Sequence, residues 1–440
     1  MKEDGNGFSR VYRRFIFNTL SCEDMHGIRF VRPGWLNALP TLLFAGGIGA
    51  FAQDRLTLHE AVDLALKHNA LVAVGEQRIK VAEAQKLQAG LSPNPRLFFQ
   101  HENVRAWQRP LPVYFRDTDS FLYASQVIER SGKKQLRVDV AGAGIAYVGA
   151  EQELIRRQLQ LRVAAAYWSA VGANRIHRHL AEEEQNLLQT VKYTGARVTE
   201  GAAVGTDLMR IRLEHQKTSA QLAVAGQDVA RAKARLFQEI GLTAPTSVEL
   251  STKLESTEAV AVPELAQVLE QRPEIQSVKR ALLQAEANAK LQRANIRQDP
   301  EVLAGYKRTG GFDALLVGVQ INLPVRNKNQ GLIQAADAEI RSAQENLRGA
   351  TVMVEAELAA ARTDYQLKKE LVEQIMPAMV ENARNSSKLV TQAWKEGSLD
   401  ILRMLDAERA RIDAELQYTK AMIEFQQSVL QLRAAAGVNP

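Results

Sequence analysis

The sequence predicts a mainly α-helical, internally duplicated chain that contributes four short strands to a membrane β-barrel. Three observations carry this. Motifs recur 195 to 205 residues apart, helical runs are too long for a globule, and a nine-residue stretch alternates strictly between apolar and other side chains.

The repetition is explicit. Ala82-Glu83-Ala84 precedes Asn94-Pro95, and Ala285-Glu286-Ala287 precedes Asp299-Pro300. Gly132-Lys133 opens one long helical run and Asn327-Lys328 a second; Glu200-Gly201 and Glu396-Gly397 interrupt them at matching places. Such a period far exceeds any solenoid unit, so each half is a large assembly in its own right. The expected division is 1–52 as an N-terminal lead and signal peptide, 53–244 as the first repeat, 245–262 as a linker and 263–440 as the second repeat. Each repeat reads helix, two strands, long helix, helix.

Composition sets limits. With 46% hydrophobic residues and a single Cys in 440, the chain is neither disordered nor a disulfide scaffold. Aromatics make up only 6%, which suits long helices packed side by side. At the N-terminus, Arg29 and Arg32 precede an apolar stretch from Trp35 to Phe51, and Ala50-Phe51-Ala52 supplies a small-x-small cleavage pattern. An anchoring helix is the alternative, but the run falls short of the ~20 apolar residues that a span needs. Met25 is an alternative start. Leu20-Ser21-Cys22 faintly resembles a lipoprotein site, though only Phe15, Ile16 and Phe17 precede it as an apolar run. Cleavage after Ala52 removes six basic and four acidic residues and lowers the net charge from +6 to +4. With acids interspersed among the bases, this speaks against nucleic-acid binding.

The helices follow from periodicity. No proline falls between Pro112 and Pro245, and helical spacing (Leu154, Leu161, Ala165, Trp168) runs over 134–199. At 1.5 Å per residue this reaches ~90 Å. A second helix is expected to about Ile240, with Asp207 as its N-cap and Gly241 as its stop. The other half repeats the plan over 328–395, where Pro377 should kink or split the run. A last helix follows from about Leu399 to Ala436-Gly437. Shorter helices over 57–89 and 263–295 precede the strands; stacked end to end with the post-turn helices, they could lie along the long ones as an antiparallel bundle. Taken alone, such helices would also fit a coiled-coil rod.

The strands alternate. Over 315–323, Leu315, Val317, Val319, Ile321 and Leu323 form one face, while Leu316, Gly318, Gln320 and Asn322 form the other. Nine residues is close to what a tilted membrane strand requires. Stretches 96–103, 121–128 and 301–307 supply three more, and Trp107, Tyr114 and Phe115 sit in a connecting loop suited to a membrane interface. A small soluble sheet would show the same alternation. Export, together with the lack of an internal apolar span, favours a barrel, since only helices and closed barrels cross a bilayer. Four strands cannot close one when the smallest use eight. Three chains give twelve, so a homotrimer is expected, with the apolar face toward outer-membrane lipid and Gln320 and Asn322 toward water.

No hydrolase elbow, phosphate-binding loop, paired-Cys site or H-E-x-x-H motif occurs, and no catalytic, cofactor or metal site is assigned. His177 and His179, two apart on a helix, point to different faces.

Several segments, in order, resemble the outer membrane efflux protein family, whose best-known member is TolC. They are Leu56-Thr57-Leu58-His59-Glu60-Ala61 with Asn69; Gly90-Leu91-Ser92-Pro93-Asn94-Pro95; Leu323-Pro324-Val325 with Asn327 and Asn329-Gln330-Gly331; and Met376-Pro377 followed by Ala393-Trp394-Lys395-Glu396-Gly397 and Met404-Leu405-Asp406-Ala407-Glu408-Arg409. Phe99-Gln100-His101-Glu102-Asn103-Val104 and the 326–331 segment resemble its cobalt–zinc–cadmium resistance branch. The resemblance implies a trimeric outer-membrane barrel continued by a periplasmic α-barrel. It also implies a passive duct for small solutes, including divalent heavy-metal cations, that works with a periplasmic adaptor (membrane fusion) protein and an inner-membrane resistance-nodulation-division type pump. Alternatives are the duct of a type I protein secretion system and, from another class, a periplasmic coiled-coil adaptor. The helical turns around Gly201, Asp207, Arg210, Gly397, Asp400, Arg403 and Asp406 would form the periplasmic gate and the adaptor-docking tips. There the charges would either pair between neighbouring hairpins or remain as solvated helix-end charges. Arg403 departs from the family, in which an acidic residue is common at the matching place.

Overall fold

The computed structural model describes residues 55–438 apart from 106, 108, 111–112, 244–247 and 252–259. The 1–52 lead, with Cys22 and Met25, lies outside the described residues, as does much of the 245–262 linker. Among the described residues no helix is long and apolar enough to cross a membrane.

One helix sets the scale. Helix α4 (Lys133–Thr199) runs unbroken for 67 residues, ~100 Å at 1.5 Å per residue. Shorter helices lie along it: α1 (Leu58–His68) and α2 (Ala70–Ala89) on the side of the strands, α5 (Gly205–Ile240) toward the far turn. The single helix expected over 57–89 is two. Asn69 breaks it with extended backbone, because its side chain serves two neighbours. Its Oδ1 accepts from the Leu71 N–H at 2.9 Å to cap α2, and its Nδ2 donates to the Glu239 carbonyl near the end of α5 at 2.7 Å. Gly241 ends α5 at φ +86, and a side chain there would meet the His68 and Asn69 backbone at 3.0 Å. A left-handed conformation and close approach both call for glycine.

The second half copies the arrangement. Helix α6 (Leu265–Gln271) breaks at Arg272 before α7 (Pro273–Ala294), and Gly437, at φ +82, faces Gln271 where α10 (Ile401–Ala435) ends. The counterpart of α4 is α8 (Gln330–Glu370) continued by α9 (Met376–Lys395). Pro377 does not split the run. A single π turn, Leu371–Ile375, joins the two, and the extra residue per turn accommodates a proline that has no N–H to return to the preceding turn.

The main core lies where these short helices meet end to end. Leu159, Val163, Tyr167 and Val171 of α4 are buried with Ala61 and Ala65 of α1, Leu236 and Ile240 of α5, Val354 and Leu358 of α8, and Met422 and Phe425 of α10. The Tyr167 hydroxyl, its one polar handle, donates to the Leu56 and Ser251 carbonyls at 2.9 and 3.0 Å. It thereby ties the chain before α1 to the linker.

Four strands form one antiparallel sheet in chain order: β1 (Arg96–Glu102), β2 (Asp119–Val127), β3 (Glu301–Thr309) and β4 (Phe312–Gln320). A short helix, α3 (Tyr114–Asp117), lies between the first two. The β2–β3 seam joins the two repeats. Gly310 and Gly311, at φ +58 and +84, make the two-residue β3–β4 turn, as a primed hairpin turn demands. That turn sets the register, so β4 occupies 312–320 instead of 315–323. Pairing stops at Glu301 opposite Gln320, because Pro300 has no N–H to extend the ladder. Ile321, Asn322 and Leu323 therefore lie beyond the strand.

At the seam, a Cβ on Gly305 would stand 2.3 Å from the Leu122 carbonyl oxygen and the Tyr123 Cα, which are backbone atoms that cannot swing aside. Gly305→Val is expected to force the repeats' strands apart, at a cost of ~1–3 kcal/mol. Circular dichroism of the purified protein should show lost β content; an unchanged spectrum and unfolding midpoint would refute the steric argument.

Candidate functional site

The candidate functional groups lie at the two ends of the long helices. At one end, the register places Leu97 and Phe99, Leu122 and Ala124, Val302 and Ala304, and Leu315, Val317 and Val319 on one face of the sheet. This face is turned to the outside of the chain: Leu97 is 77% exposed, Leu315 87% and Val317 75%. Exposed apolar area this continuous marks a surface made for a nonaqueous neighbour or a partner. Ile321 and Leu323 stay exposed past the strand end. The rim toward the β3–β4 turn is polar: His101 Nδ1 meets Ser120 Oγ at 2.9 Å, and Tyr306 hydrogen-bonds Asp313.

The opposite face carries the polar groups. Ser125 Oγ donates to Glu301 at 2.5 Å, Gln100 pairs with Glu102, and Gln320 lies opposite Glu301. It is not purely polar. Phe98 stacks on Tyr123 with ring centroids 4.7 Å apart, and Lys307 lies 5.7 Å over Phe121.

At the other end, two hairpin tips turn through Gly201 at φ +75 and Gly397 at φ +79. A second, smaller core holds them together: Leu187 of α4, Ile211 of α5, Trp394 of α9, and Ile401, Met404 and Leu405 of α10. Trp394 meets Tyr193 edge to face at 5.6 Å.

The sequence-selected tip charges pair only within their own helices. Asp207 is not the N-cap of α5: Val204 holds that position and Asp207 lies in the first turn, 3.9 Å from Arg210. A carboxylate there still faces the positive end of the helix dipole. Asp400 caps α10 by accepting from the Arg403 N–H at 3.0 Å, and Asp406 lies 3.4 Å from Arg409. The Arg403 side chain makes no ion pair among the described residues. One bridge between the hairpins is a residue pair that the sequence did not single out. Arg409 of α10 grips both carboxylate oxygens of Glu214 of α5 through one guanidinium edge, Nε at 3.0 Å and Nη2 at 2.5 Å. These hydrogen bonds hold the Glu214 carboxyl below its ordinary value and raise Arg409. A signal existed. Glu214 and Arg409 are 195 residues apart, the repeat offset, and Asp207/Arg210 in one tip answer Arg403/Asp406 in the other with opposite sign.

His177 packs beside Gly226 of α5 while His179 faces Glu415 of α10, so the two rings diverge. Among the described residues no three His, Cys, Asp or Glu side chains are gathered as metal ligands.

The architecture is thus a four-strand sheet with one exposed apolar face, mounted on helices of which α4 reaches ~100 Å. No protein-family profile matches the chain. It is 22% identical over 370 residues to the cobalt-zinc-cadmium resistance protein CzcC of Cupriavidus metallidurans, covering 83% of this chain and 86% of that one. Among solved structures, the outer-membrane channel OprN superposes with a TM-score of 0.73 at 18% identity, over 86% of this chain and 89% of that one. The open state of the Neisseria gonorrhoeae MtrE outer membrane channel does so with a TM-score of 0.72 at 18% identity, over 87% and 89%. The fold is that of the outer membrane efflux proteins.

Proposed function

We propose that the chain is the outer-membrane component of a tripartite efflux pump, with its helices in the periplasm. Three copies pool twelve strands into a closed barrel, and the helices extend it as a polar duct. The observation that carries this is the sheet. Among the described residues it has two unpaired edges, β1 and β4, and an apolar face that stays exposed. Closure with further copies pairs the edges, and lipid covers the face. The protein provides passage, and an inner-membrane pump of the resistance-nodulation-division type, coupled through a periplasmic adaptor at the hairpin tips, supplies drive and selectivity. The likeness to a cobalt-zinc-cadmium resistance protein supports divalent heavy-metal cations as cargo.

Mass measurement of the protein in detergent is expected to give a trimer, and deletion of the gene is expected to sensitise cells to cobalt, zinc or cadmium. A stoichiometric monomer with full β content would refute the barrel. An intact trimer with unchanged metal tolerance would refute only the cargo.

A further inference from the structure

Between the tip core and the main core lies a group of buried charges that the duct reading does not use. Arg411 of α10 reaches across to the first hairpin. One guanidinium nitrogen contacts Glu183 of α4 at 2.5 Å and Glu408 of its own helix at 2.7 Å, and the other contacts Glu415 at 3.1 Å. The Glu183 side chain is 5% exposed, Glu415 8% and Glu408 16%. From α9, Arg384 Nε holds Glu415 at 2.6 Å and the Ser387 hydroxyl donates to Glu408. From α4, His179 Nδ1 stands 3.7 Å from Glu415, and burial holds its imidazole below the ordinary value, on the neutral side. Arg175, Arg178 and Glu182 lie around His179 on the same helix. From α5, His215 is engaged with Glu184 at 2.7 Å and Glu214 with Arg409, so neither serves Glu183.

Three carboxylates thus face two guanidiniums, and two of the carboxylates, Glu183 and Glu408, converge on the same terminal nitrogen of Arg411. Two neighbouring carboxylates cannot both ionise cheaply, least of all when buried. A proton on one carboxyl removes the excess charge and turns that carboxyl into a hydrogen-bond donor.

We propose that Glu183, Glu408 and Arg411 form a proton-binding latch between the two hairpins, closed when the carboxyl pair holds one proton and weakened when that proton leaves. The latch joins α4 to α10, and hence the first hairpin to the second. It is a property of the folded chain and does not depend on what the duct carries.

The pH window follows from the pair. Burial first, and the Glu408 carboxylate second, push Glu183 up to about 7 against the pull of Arg411. Its proton therefore stabilises the latch fully below 4.5, the ordinary value, and that contribution is lost as pH rises through about 7. For Glu408, burial pushes upward, but hydrogen bonds from Arg411 and Ser387 outweigh it and hold it below 4.5. Its contribution is present above 4.5 and is lost as pH falls through its lowered value. The latch is tightest in mild acid and loosens above neutrality.

Hydrogen exchange of the full-length protein in detergent, corrected for intrinsic rates, tests this between about pH 5.5 and about pH 8. Protection of α9 and of the first half of α10 is expected to fall roughly tenfold or more, the equivalent of ~1 pKa unit of coupling. Infrared difference spectra should show a protonated carboxyl that titrates near neutrality. Glu183→Gln mimics the protonated state and should abolish both the titration and the loss of protection. Glu408→Gln, which leaves Arg411 a single partner in that contact, should move the midpoint downward. Should Glu183→Gln fail to fold, the wild-type titration and the Glu408→Gln shift decide. Wild-type protection that does not change with pH, a Glu183→Gln protein with the wild-type titration, or a Glu408→Gln midpoint that does not move would each overturn the latch.

Discussion

Replacing Arg272 by Ala is expected to destabilise the folded chain by roughly 3 kcal/mol, the lower end of what removing one partner from a buried ion pair costs. The Arg272 side chain is 5% exposed and sits at the break between α6 and α7. Its Nε holds Glu274 at 2.8 Å and one terminal nitrogen holds Glu357 at 2.7 Å. The other donates to the Ala434 and Ala435 carbonyls, both at 3.1 Å, at the end of α10. Glu274 and Glu357 are about a third exposed, so water replaces much of what they lose. The carbonyls are worse off, because orphaned helix-end acceptors inside protein have no substitute. Arg157, with Nη2 3.0 Å from the Ala434 carbonyl, serves the same helix end and keeps the loss from being larger. Urea unfolding of the purified variant checks the figure, and a change under ~1 kcal/mol would show that Arg157 alone suffices.

Val317→Lys is expected to be nearly as costly, at ~2–4 kcal/mol if the residue lies at the bilayer midplane, and the loss should appear as failed trimer assembly. Val317 is flanked on its face by Ala304 across the ladder and by Leu315 and Val319 along the strand. Gln320→Lys on the opposite face is the control: it adds the same charge toward water and should leave assembly intact. Equal effects from the two would mean that the apolar face does not meet lipid.

The same strand shows what was legible in the sequence. The alternation put Leu315, Val317 and Val319 on one face, as the register does, but it also ran on through Ile321 and Leu323. An alternating pattern records which side a residue faces, while the strand's extent is set by a partner. That partner was fixed by the Gly310-Gly311 turn and by Pro300, 20 residues before Gln320 on the other side of the hairpin. The long helices were equally plain, because proline-free periodicity is local. Their breaks were not. Asn69 and Arg272 interrupt runs whose apolar spacing continues through them, and the causes are acceptors more than 160 residues away. The turns at Gly201 and Gly397 were legible, yet a pair that ties one hairpin to the other there, Glu214 with Arg409, depends on packing. So does the Glu183 cluster, whose members look like ordinary surface charges of helices rich in Glu and Arg.

Those two breaks have an electrical consequence. At each of them the C-terminal end of one helix, α5 or α10, meets the N-terminal end of another, α2 or α7, pointing the same way along the molecule. The partial negative charge of the first end therefore abuts the partial positive charge of the second. The splicing residue bridges the gap by addressing both ends: Asn69 caps α2 while donating to α5, and Arg272 stands at the N-cap of α7 while donating to α10. Each discontinuous rod thus behaves electrostatically as one dipole running opposite to the unbroken helix beside it. The fields of the paired rods cancel along most of their length, leaving unbalanced polarity only at the two ends, beside the sheet and where the hairpins turn.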